Sequence, residues 1–279
     1  MKKILSLLIG FFIFSVSLIL GLSFSIRPII TQIISEGIIG QVTTQGVLTV
    51  IENDLPDMIN DYMVLFQKEL TQSKIIYNFT DHTLYKISDS LLFNKAATKI
   101  SMQQEIKEYA DEVISLIEKY SAPLLLTQKE KIMTDIYTWG TILNNQIGTA
   151  IDYALQENSQ LKLLILIYGI LIRYLSLICI VFILLFSFIL FMISKKLNIL
   201  LKNEGFLLLV SGMIQALLFP FLISHYSDIY TNMYIGMTPD LNISKTQMIG
   251  LQFIICGIIF LGISFIIYFY KQRKGHQLN

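Results

Sequence analysis

LLILIYGILIRYLSLICIVFILLFSFILFMI, residues Leu163 to Ile193, is apolar almost throughout, carries one charge (Arg173) about a third of the way along, and is closed by Lys195 and Lys196. A bilayer core is about 30 Å thick and a helix rises about 1.5 Å per residue, so about 20 residues suffice to cross it. This run is about half as long again, so it exceeds a span, and its charge shows where the excess lies. With Tyr174 to Ile193 as the span, Arg173 and Tyr174 sit at one interface and Lys195 and Lys196 at the other. Leu163 to Ile172 is then an apolar helix outside the bilayer, in need of a protein partner.

The whole composition agrees. The chain has 279 residues, 54% hydrophobic and only 15% charged, with a mean hydropathy of +0.62. Soluble domains rarely combine these values. A net charge of +1 removes the basic face expected of a nucleic-acid binder. Cys179 and Cys256 both fall in apolar runs and read as small buried hydrophobes, not as a disulfide. Arginine occurs only at positions 27, 173 and 273 beside abundant Lys, Ile and Asn, a bias expected of an AT-rich genome such as that of a low-GC Gram-positive bacterium.

Before the central run, Lys2 and Lys3 introduce about 20 apolar residues without a good small-x-small exit. That pattern predicts an uncleaved signal anchor, ended by Pro28. From Ile29 to about Gln160 the apolar residues follow the helical period instead. Ile29, Ile30, Ile33, Ile34 and Ile38 make one stripe, ended by Gly37 and Gly40; Val50 to Leu70 makes a second, with Pro56 near its start. Capping boxes at Ser101–Gln104 and Thr127–Glu130 introduce two more, the first ending before Pro123. Lys74 to Phe93 has no clean period and is read as mixed, mainly helical. Four or five amphipathic helices are enough for a bundle with its own core. With no Gly or Pro between Ile151 and Tyr168, the last is expected to run unbroken into the central run as one helix of about 65 residues.

After Lys195 a polar loop, KKLNILLKNEG, precedes a third span from about Phe206 to Ser224. Tyr226, Tyr230 and Tyr234 suit an interfacial turn, and a fourth span covers Met248 to Tyr270. One set of short flanks carries Lys2, Lys3, Lys195, Lys196, Lys202, Lys271, Arg273 and Lys274; the other carries Arg27, Arg173 and Lys245. The positive-inside rule puts both termini in the cytoplasm. The expected architecture is an all-α integral membrane protein. Residues 1–28 form transmembrane helix 1, 29–162 an extracytoplasmic helical domain, 163–196 a juxtamembrane helix continuing into transmembrane helix 2, 197–270 helices 3 and 4 with an outer loop at 225–247, and 271–279 a basic tail.

Chemistry is sparse. Arg173 could mark an intramembrane path, but its position at the span boundary favours snorkelling. Asp81–His82 and His225 with Asp228 are the carboxylate–imidazole neighbours, and a metal site needs three or four such ligands. Gln215 and Gln252, inside spans three and four, suit hydrogen bonds between helices better than a polar path. Neither Gly205/Gly212 nor Gly257/Gly262 has GxxxG spacing. No phosphate loop, G-x-S-x-G elbow, H-E-x-x-H or dinucleotide motif is present. No cofactor is expected. The sequence points to a non-enzymatic envelope protein whose outer bundle binds a protein or envelope partner and which contacts lipid, with self-association open. A transport component with an outer cap, or an outer-leaflet enzyme using His225 and Asp228, are the alternatives.

Overall fold

A computed structural model describes residues 2–54, 62–94, 103–121, 123–234 and 244–276, and every regular element among them is helical. Helix α1 (Lys2–Ile34) passes through a π turn at Ser35–Ile39 into α2 (Gly40–Asp54). Then come α3 (Met63–Thr71), α4 (Lys74–Phe93), α5 (Gln103–Tyr120), α6 (Leu126–Glu157) and α7 (Ser159–Ile170). A second π turn at Leu171–Leu175 leads to α8 (Ser176–Ser194); α9 (Leu197–Met213), a third π turn (Ile214–Leu218), α10 (Phe219–Tyr234) and α11 (Ser244–His276) complete the chain. Four stretches are long and apolar enough to cross a membrane, within Ile4–Glu52, Ser159–Ser194, Leu197–Tyr226 and Thr246–Lys271.

Several boundaries differ from the sequence reading, each for a local reason. Pro28 lies inside α1. Its missing N–H forfeits one backbone bond, whereas ending an apolar helix there would strand several polar groups at once. Gly37 and Gly40 likewise sit within continuous helix, at and just after the π turn. The expected 65-residue helix is interrupted at Asn158, whose Oδ1 accepts the N–H groups of Gln160 and Leu161, both at 3.0 Å. This asparagine cap starts a new helix. The polar stretch after Lys195 is no loop: Lys195 adopts a left-handed conformation (φ 50°), Lys196 follows, and α9 begins at Leu197. Thr127 lies inside α6, and it is Gln128 that accepts the Leu125 N–H at 2.9 Å. Ser101 and Pro56 lie outside the described residues.

The chain divides into two compact units. The first comprises residues 1–29, 170–229 and 240–279. Here Ile9 and Ile13 of α1 pack on Leu190 of α8, with Phe186, Leu200 and Leu207 around them. The closest pairing is α9 against α11, along a glycine seam with a seven-residue repeat. A Cβ added to Gly212 would stand 2.6 Å from the Gly250 carbonyl oxygen, and one added to Gly257 2.7 Å from that of Gly205. Sevenfold spacing on both antiparallel helices brings backbone to backbone twice, a small-residue seam of the kind that packs membrane helices. The GxxxG search passes over it because its spacing is seven.

The second unit comprises residues 30–169 and 230–239. Its core gathers Val47 and Ile51 from α2, Phe66 and Leu70 from α3, Val113 and Ile117 from α5, and Ile132 and Ile136 from α6. The stripe read as one helix from Val50 to Leu70 is divided between α2 and α3, whose residues meet again in this core. Each such fully buried side chain contributes about 1.5–3 kcal/mol. The ambiguous segment is α4. Ser73 caps it by accepting the Ile75 N–H at 3.2 Å, and donates its hydroxyl to the Glu112 carboxylate. Asn94 (φ 48°) closes its far end.

Candidate functional site

Polar side chains buried among apolar helices mark where a membrane protein does more than span. In the first unit they converge on Gln215. Its residue is fully buried, in the π turn between α9 and α10. The amide Nε2 donates to the Ser17 carbonyl of α1 at 2.9 Å, while Oε1 has no hydrogen-bond partner among the described residues. On α1, Ser17, Gly21 and Ser25 recur every four residues and so share one face. Gly21 is where the amide rests: a Cβ there would overlap the Gln215 carboxamide itself. The Gly21 Cα–H thus points at the amide, a weak contact for the oxygen. One turn further, Ser25 accepts a hydrogen bond from Thr246 of α11 at 2.9 Å, both buried. Spans one, three and four are therefore joined through neutral groups.

A second polar set lies toward the α8–α9 turn. Glu204, in α9 beside the seam glycine Gly205, is half-buried, and its Oε1 is buried without a partner among the described residues. The Ser264 hydroxyl of α11 donates to the Asn198 carbonyl at 2.7 Å. The sequence reading overlooks Glu204 because it assigned the KNEG stretch to a loop; an acid directly before a seam glycine was the available signal. The Ser17/Gly21/Ser25 repeat lies in a stretch read only as an apolar anchor and its exit, although its small-xxx-small spacing is visible in the sequence.

The residues singled out from sequence are not brought into one site. Arg173 sits half-exposed in the π turn Leu171–Leu175. His225 is exposed, stacked on Phe221 with ring planes 4° apart and edge-on to Tyr226; the Asp228 side chain lies outside the described residues. Gln252 is exposed on the outer face of α11 and makes no hydrogen bond to a described residue, unlike Gln215. Cys179 is buried as expected, but Cys256 is exposed on the same outer face of α11. Asp81 accepts from Thr31 at 3.1 Å and neighbouring His82 is exposed. Among the described residues no three His, Cys, Asp or Glu side chains cluster closely enough to hold a metal ion.

In the second unit, Glu69 accepts from Lys119 at 2.6 Å and from the Tyr120 hydroxyl at 2.5 Å. The Lys119 hydrogen bond, then that of Tyr120, holds the Glu69 carboxyl below its usual range, and the same carboxylate raises both partners. Glu118 is lowered in the same way by Lys129, at 2.7 Å, and by the Leu124 N–H. These pairs lie at the surface and neutralise one another. The Tyr62 and Tyr120 rings meet at a tilt, centroids 5.6 Å apart and planes at 30°, and Val64, Leu65, Leu125 and Leu126 are exposed apolar side chains of the helix starts nearby in the chain. Deeper in the unit, the Tyr109 hydroxyl is buried without a partner among the described residues, and burial pushes its pKa up to about 12. Thr43 and Thr44 flank it but direct their hydroxyls to the Ile39 carbonyl and to Thr71. Beside it an apolar cavity of about 20 Å³ is lined by Ile76, Phe79, Ile106, Trp139 and Leu143.

No family model matches the chain, and no curated protein or solved structure matches it either.

Proposed function

We propose that this chain is a non-enzymatic multi-pass protein of the bacterial plasma membrane whose helical unit, residues 30–169, faces outward and binds a protein or envelope partner. The observation that carries the reading is the helical unit itself: it closes a core of its own, yet leaves Val64, Leu65, Leu125 and Leu126 exposed, close in sequence to a tilted pair of tyrosines, Tyr62 and Tyr120. Large exposed apolar side chains next to tyrosines are what protein-binding surfaces present. The excess of Lys and Arg on one set of short flanks supports an outward placement. The neutral joint at Gln215 supports an anchoring role for the spans, since its amide is engaged with Ser17 and lines no polar path.

The test is a photocrosslinker at position 126 of the full chain in native membranes. The expected result is one abundant envelope protein, lost when Leu125 and Leu126 are both replaced by Glu. Capture of nothing, or capture unaffected by those replacements, sinks the reading. One observation favours the transport alternative: the partly buried acid Glu204 inside the third candidate span. If that alternative holds, Glu204→Gln removes a cation flux measured in vesicles while leaving capture at position 126 intact.

A further inference from the structure

We draw no further inference here: the strongest candidate, the half-buried Glu204 carboxyl in α9 with its unpartnered Oε1, belongs to the polar set already described, and no second feature among the described residues points to a ligand for it.

Discussion

Gly21→Ala is the sharpest probe of the joint between spans. The added methyl would fall on the Gln215 carboxamide, so the amide must leave its seat and its bond to the Ser17 carbonyl must break. Losing an interhelical bond of this kind costs about 0.6–1.7 kcal/mol. Forcing a methyl into a filled site costs about 1–3 kcal/mol more. Replacing a helical glycine by alanine returns up to about 1 kcal/mol. The net loss is about 2 kcal/mol, or a Tm lowered on the order of 5 °C. Cys179, only 4% exposed, reports unfolding of this unit through its reactivity with a maleimide dye on heating in detergent, in a Cys256→Ser background. The decisive variant is Gly21→Ala with Gln215→Ala. Removing the amide makes room for the methyl, so the pair should be less damaging than the sum of its parts by at least about 1 kcal/mol. A Gly21→Ala protein that melts with the parent, or two losses that simply add, would refute the geometry.

Four other variants follow from the same reasoning. Gly212→Ala should lower the same transition by about 2 kcal/mol or more, because its Cβ meets backbone that cannot turn aside. Gly262→Ala, with open space around it, should leave the transition in place or raise it slightly. In the second unit, Trp139 emission reads Tyr109→Phe, which deletes a buried hydroxyl without a partner and should leave the unit as stable or more stable by about 1 kcal/mol. Because burial raises the Tyr109 pKa from the ordinary 10.0 to about 12, its contribution is complete below pH 10 and falls as pH rises toward 12; Tyr109→Phe should flatten that alkaline limb. Glu69 has the opposite sign. Its lowered carboxyl stabilises above the ordinary carboxylate range and loses that contribution on acidification, so Glu69→Gln should remove a small part of the acid limb, smaller still in high salt.

The spans were legible because a bilayer sets a length that composition alone can meet, and Leu163–Ile193 meets it without help from any neighbour. The helical stripes were legible for the same kind of reason: Ile106 to Ile117 repeats at the period of one face, and that face is the one buried. What escaped notice depends on which side chains meet. A serine, a glycine and a serine four apart are unremarkable until Gln215 arrives from 198 residues away to use the space at Gly21. Lys202-Asn203-Glu204 looks like a loop because its polarity is visible, whereas the left-handed Lys195 that completes the turn earlier is not. Gln215 and Gln252 are the same residue type in equivalent sequence settings, and only packing separates an amide that is engaged from one left facing outward.

The π turn at Ile214–Leu218 has a geometric consequence of its own. One additional residue in a helical turn advances everything beyond it by about 100° around the axis. The third span is therefore two helical rulers joined out of phase. One is phased by Gly205 and Gly212 against α11; the other, beginning at Phe219, carries Phe221, His225 and Tyr226. Any stripe counted straight through the turn is wrong for one half. A single-residue deletion there would bring the halves back into step and carry the aromatic group of α10 about a quarter of the way around the helix, leaving every residue outside the turn unchanged in identity and altered in direction.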